Sequence, residues 1–166
     1  MIGQAIPRLD AVAKVTGQAQ YPGDIDLPGQ LWMKVLFAGR PHARIRRLDA
    51  SRAEALPGVA AVLTAKDVPH NEYGLIEKDQ PVLCGPGSAR AGADVVRCVG
   101  DQVALVVAET EAVAAQALKL IEVEFEDLPV ITDPRAAMQP GAPPILPGLE
   151  RNIFKHYRIR KGDADA

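Results

Sequence analysis

A chain of 166 residues, 48% of them hydrophobic, has enough apolar surface to bury one core, and its length fits a single domain. A formal net charge of −2, with no basic run interleaved with aromatics, gives no field for nucleic acid or an anionic membrane. The longest apolar stretches fall far short of the roughly 20 residues that cross a bilayer, and Met1-Ile2-Gly3-Gln4 lacks the basic and apolar regions of a signal peptide, so the expected location is cytoplasmic.

The first segment with a readable pattern runs from Arg8 to Asp24. Asp10 is expected to cap a helical turn over residues 11–14, and Gly17 to take the left-handed conformation that ends it. Lys14 stands four residues after Asp10, the spacing of a helical ion pair. Tyr21 is expected to pack its ring and send its hydroxyl to a partner, and Pro22-Gly23-Asp24 is turn chemistry.

Two strand–helix–strand patterns follow. Residues 31–38 are rich in large apolar side chains and predict a strand; Asp49 then caps a short helix over 50–56, ended by Pro57-Gly58, and 59–64 is a β-branched run. Residues 102–108 are almost unbrokenly apolar, as a strand covered on both faces is. Thr110 is placed to cap a helix over 112–120 that buries Val113, Ala117 and Leu118, and 121–125 alternates apolar and acidic. Paired βαβ-like units predict an α+β fold with a mixed sheet and short helices. Between the units, residues 71–93 have little periodicity beyond a short strand at 81–83. Residues 140–148 hold four prolines and two glycines and read as a connection. Residues 152–160 alternate, predicting a last strand with an exposed face, an edge open to self-association, before a turn at Gly162-Asp163.

Chemistry-bearing clusters are scarce. Cys84 and Cys98 are the only cysteines, read as free thiols, and they are too few for an iron–sulfur cluster. His42, His70 and His156 lack metal-ligand spacing. Gly85-Pro86-Gly87 has no following lysine–serine pair, and its proline removes an amide that a phosphate cradle would use. Ser51 and Ser88, the only serines, lie outside any nucleophile elbow. Glu122, Glu124, Glu126 and Asp127 read as a solvated strand face rather than an acid–base pair, and Arg44, Arg46 and Arg47 as a solvated edge or a subunit contact.

The order Arg8, Asp10, Lys14, Val15, Thr16, Gly17, Ala19, Tyr21, Asp24 closely resembles the opening of the large subunit of the xanthine dehydrogenase/aldehyde oxidase family of molybdenum hydroxylases, its a/b hammerhead domain. The resemblance continues through Pro28-Gly29-Gln30-Leu31, Pro41-His42-Ala43-Arg44-Ile45, Leu56-Pro57-Gly58-Val59 and Val62 to Pro69. It reaches Asp79 to Leu83, Val96 to Ala104, Glu109 to Ala117, Leu128-Pro129 and Gly162-Asp163. The chain departs from the family at Phe37 and Ala38, where arginine and serine are usual, and at Cys98, where an aromatic is common.

The resemblance implies one hammerhead domain over residues 1–166, with 140–148 as a connection and 152–166 as an arm toward a cofactor domain. It implies a parent oxidoreductase that hydroxylates aldehydes or N-heterocycles with oxygen from water, using molybdopterin, with iron–sulfur clusters and often FAD on other subunits. The partners it implies are the molybdenum cofactor-binding domain of the same large subunit and those electron-carrying subunits. For this chain it implies no catalytic, cofactor-binding or metal-binding residue. Arg8, Asp10, Lys14, Thr16, Gly17, Tyr21 and Asp24 are then structural or interface residues. Met1 just ahead of the signature leads us to expect no fused iron–sulfur domain, and the ending at Gly162-Asp163 a cut at a domain edge. The competing expectation is a free-standing, non-catalytic interaction subunit or scaffold with the same fold.

Overall fold

A computed structural model describes residues 2–76, 78–146 and 148–163. Their contacts gather into two compact units, Met1–Gln30 and Leu31–Ala166. The first holds one short helix, α1 (Ala11–Val15), and a 3-10 turn at Pro22–Asp24.

The second unit carries two three-stranded sheets. In one, β5 (Gln102–Ala108) lies between β1 (Trp32–Phe37) and β3 (Val59–Thr64); in the other, β2 (Ala43–Asp49) lies between β4 (Val95–Val96) and β6 (Glu122–Asp127). Every hydrogen-bonded neighbour is antiparallel, so the outer strands of each sheet run in the same direction as one another. Three short helices complete the unit: α2 (Ser51–Glu54), α3 (Glu111–Leu118) and α4 (Pro134–Ala137). The α+β class with short helices stands, and the strand–helix–strand units are present in a split form. β1 and β3 flank β5 instead of touching, whereas β5 and β6 belong to different sheets. The cause is edge occupancy: β1 and β3 take both edges of β5, leaving β6 to pair with β2.

β5 is apolar after Gln102 because helix and sheet both cover it. Ala104, Val106 and Ala108 are fully buried beneath α3 with Val62, Ala114, Ala117 and Ile121, and Val103 turns to the other face to join Ile45, Cys84 and Val96. Small residues let α3 approach the sheet closely: Ala114 and Ala117 are the wholly buried pair, whereas the expected Val113 and Leu118 flank it half-buried. The Thr110 hydroxyl accepts from the Val113 amide at 3.2 Å, the expected cap. Asp49 likewise accepts from the Ser51 amide at 3.0 Å ahead of α2.

Two expected strands do not form. Pro81 has no amide N–H to give a ladder, and Val82 and Leu83 lose theirs to a side chain: the Asn71 Oδ1 accepts from them at 2.7 and 2.9 Å. Residues 152–160 alternate in sequence, but among the described residues no strand pairs with them, and 153–160 stay exposed. The proline-rich connection is folded back and pinned. Asn152 donates to the Ala137 and Pro143 carbonyls at 3.0 and 2.9 Å and accepts from the Ile145 amide at 2.7 Å. Asn152 itself sits at φ +54°, a left-handed conformation that asparagine tolerates. Among the described residues no helix is long and apolar enough to cross a membrane.

Candidate functional site

The signature residues all lie in the N-terminal unit, and local forces assemble them. Asp10 sits at the start of α1 yet makes no capping bond with its side chain, contrary to the expectation. Two cations compete for the carboxylate and win it: Arg8 Nε stands 2.5 Å from Oδ1 and Lys14 Nζ 2.6 Å from Oδ2. Lys14 first, then Arg8, hold the Asp10 carboxyl below its usual range. The helix ends as expected, with Gly17 at φ +73°, where a Cβ is disfavoured. Thr16 turns its hydroxyl back to the Val12 carbonyl at 2.7 Å. Further on, the Tyr21 amide donates to Asp24 Oδ2 at 3.0 Å and the Asp24 amide to the Tyr21 carbonyl at 2.9 Å. This reciprocal pair fixes the Pro22-Gly23 turn. Tyr21 is 54% exposed, so the expected packing of its ring is only partial among the described residues.

The polar side chains therefore fold the segment, and its apolar side chains are left outside. Leu9 is 103% exposed, Val15 84% and Val12 68%, and α1 buries no residue. A short helix held by ion pairs and a glycine turn does not stabilise itself by burial, and its aliphatic side chains stay in water.

Elsewhere, side chains that looked chemically suggestive are occupied. The β2 and β6 strands carry Arg47 opposite Glu124, with Nη1 to Oε1 at 3.3 Å. Arg46 pairs with Glu126, and Arg52 with Glu122 at 3.0 Å. The acidic run and the arginine cluster are thus two halves of one cross-strand ladder, with Arg44 bound to Asp94 on the β4 side. Sequence reading treated them apart because the register that joins them spans some 77 residues in the chain.

The Cys84 thiol is buried, and Cys98 is exposed and donates to Asp101 Oδ1 at 3.4 Å. Burial pushes the Cys84 thiol up to about 12, with the Asp101 charge adding to the effect. Asp101 also accepts from the Arg97 and Cys98 amides at 2.6 and 3.1 Å. These bonds build the turn into β5.

Among the described residues no group of three His, Cys, Asp or Glu side chains converges. The Gly85-Pro86-Gly87 loop is no open cradle: a Cβ at Gly87 would meet the Lys66 Cβ at 3.0 Å, so its missing side chain makes room for Lys66.

Two antiparallel sheets with short helices, and an ion-paired signature turn earlier in the chain, define an α+β module. Residues 16–129 match the family model for the a/b hammerhead domain of aldehyde oxidase and xanthine dehydrogenase. The chain belongs to that family. It is 46% identical over 159 residues to a probable xanthine dehydrogenase subunit of Bacillus subtilis, across 93% of this chain and 20% of that protein. It is 41% identical over 155 residues to the carbon monoxide dehydrogenase large chain of Afipia carboxidovorans, across 93% of this chain and 18% of that one. The crystal structure of the Cu,Mo-CO dehydrogenase in its carbon monoxide reduced state superposes with a TM-score of 0.75 at 38% identity, covering 85% of this chain and 17% of that one. The chain spans about one fifth of the length of these relatives.

Proposed function

We propose that this chain is the N-terminal structural and interface domain of the large subunit of a molybdenum hydroxylase, one that oxidises aldehydes or N-heterocycles with water-derived oxygen. One observation carries the reading. The signature turn satisfies its polar groups internally and presents Leu9, Val12 and Val15 outward, an arrangement that serves packing against another surface. The relatives supply the context, since most of their length lies outside the matched region.

In this reading molybdopterin is held by the cofactor-binding domain of the same large subunit, and iron–sulfur clusters and FAD reside on partner subunits. When bound there, the molybdenum cofactor supplies the two-electron redox chemistry. In this reading the chain contributes packing surface and no step of that chemistry. Arg8, Asp10, Lys14, Thr16, Gly17, Tyr21 and Asp24 hold the contact surface in shape, and none is assigned a catalytic, cofactor-binding or metal-binding role. Residues 152–163 serve as an arm toward the cofactor domain, pairing as a strand only when that domain offers an edge.

The test is metal analysis and turnover of the purified chain with an artificial electron acceptor, repeated after co-expression with the cofactor-binding remainder of a large subunit. The expected result is substoichiometric molybdenum and no turnover alone, with a stable complex formed on co-expression. Stoichiometric molybdenum and turnover by the isolated chain would overturn the assignment.

A further inference from the structure

Arg97 follows β4 and carries a half-buried guanidinium with no carboxylate partner. Its Nε donates to the Ile145 carbonyl at 3.0 Å and its Nη1 to the Val95 carbonyl at 3.1 Å. Among the described residues it forms no ion pair. The acids that influence it are committed elsewhere: Asp94 to Arg44, and Asp101 to two backbone amides. Burial draws the guanidinium below its ordinary range, and the nearby Asp101 and Asp94 charges, which act the other way, do not offset it. A half-buried guanidinium hydrogen-bonded only to carbonyl oxygens is left with donors to spare.

Arg97 is a lining residue of two clefts. One, about 310 Å³, has Asp79 and Asp101 in its wall, which repel an anion. The other, about 370 Å³, is lined by His42, Arg44 and Arg97 on its polar side and by Leu128, Pro143 and Pro144 on its apolar side, with no acidic residue. Its wall is tied on both sides. His42 Nδ1 is bonded to the Pro129 carbonyl at 2.6 Å, and Asn152 holds the proline loop at Pro143 and Ile145. Its volume lies at the small end of the roughly 300–1,000 Å³ usual for ligand sites.

We propose that this second cleft is a carboxylate-binding site: Arg97 takes the carboxylate, and Leu128, Pro143 and Pro144 take a small apolar body attached to it. Prolines and a leucine give the body an apolar, conformationally restricted wall, and a guanidinium matches a carboxylate as a planar fork. The acid comes either free, as a small aromatic or aliphatic acid, or as the C-terminal carboxylate of a partner polypeptide.

Both sources are tested on the isotope-labelled full chain by following the Arg97 Nε–H and His42 ring signals. Benzoate is titrated against benzamide, and an acetylated peptide ending in a free Leu-Phe carboxylate against its C-terminal amide. The expected result is a saturable shift at Arg97 and His42 with at least one carboxylate and none with its neutral counterpart, the affinity read at His42 weakened about tenfold or more in Arg97→Gln. Pro144→Glu, which keeps Arg97 and places a negative charge at the mouth, serves where Arg97→Gln fails to fold, and it too abolishes the shift. Saturation by benzoate points to a free acid, and saturation by the peptide alone to a partner's terminus. No saturation by either carboxylate, equal shifts from the neutral analogues, or binding unchanged in the folded variants overturns the proposal.

Discussion

Asn71 and Leu83 are joined twice: the Asn71 Nδ2 donates to the Leu83 carbonyl at 2.8 Å, and its Oδ1 accepts the Leu83 amide at 2.9 Å. The same side chain also donates to Ser88 at 3.0 Å and accepts from Val82 at 2.7 Å, so one buried amide organises the long loop between β3 and β4. Removing it in Asn71→Ala leaves backbone groups of that loop unpaired out of water, at a cost of about 3 kcal/mol. Urea unfolding monitored by circular dichroism measures this. A shift in midpoint no larger than that of an exposed substitution counts against the role.

The α3 helix and the core behind it offer a graded test of packing. Ile45 is 2% exposed in the second core cluster, and Ile45→Ala should cost about 3–4 kcal/mol. Leu118 only leans against the core from the flank of α3, so Leu118→Ala should cost about 2 kcal/mol, at the low end for such truncations. Thr110→Ala, which removes the cap, should cost about 1 kcal/mol. Thermal or urea unfolding that ranks Leu118→Ala above Ile45→Ala would sink this account of the core.

How much of this was legible beforehand depended on how local the cause was. β3 and β5 were readable because apolar runs bounded by turns need no partner to be recognised, and Thr110 because a cap acts within three residues. β2 was not, since its Arg44, Arg46 and Arg47 read as a polar edge until the register sets acidic β6 beside them. Residues 152–160 show the converse: alternation makes a strand possible, and only an available edge makes it one. At the candidate surface, the Asp10–Lys14 pair was predictable from spacing. The absent Asp10 cap was not, because it turns on Arg8 competing for the same carboxylate.

The two cysteines should differ in reactivity. Exposed Cys98 should react with a disulfide reagent in the native protein, and buried Cys84 only on unfolding, giving one fast thiol per native chain and two in guanidinium. Cys84 also sets an alkaline limit. In the unfolded chain this thiol loses its proton near pH 9, whereas in the folded protein it holds it to about 12. The unfolded state therefore ionises first, and stability falls as pH rises through that window, with the contribution constant below it. Comparing Cys84→Ala with the unsubstituted chain isolates the effect: the variant should lose less stability between about pH 8 and 11. Parallel pH profiles for the two proteins would remove Cys84 as the cause.

The N-terminal surface makes the sharpest separation between folding and assembly. Val12 and Val15 are 68% and 84% exposed on α1, which buries nothing, so placing a charge at either position costs the isolated chain almost no packing. Val12→Asp and Val15→Asp should leave its unfolding midpoint within about 0.5 kcal/mol of the unsubstituted chain. Against the cofactor-binding remainder of a large subunit the same changes bury an unpaired carboxylate, which costs far more than the lost methyl groups. Co-purification yield should therefore fall sharply for both variants. Leu75→Asp, an equally apolar substitution at a loop position that is 94% exposed, provides the control and should leave the complex intact. Retention of the complex by both valine variants would show that this surface is not the one used, and unfolding of the isolated variants would show that α1 is part of the chain's own core.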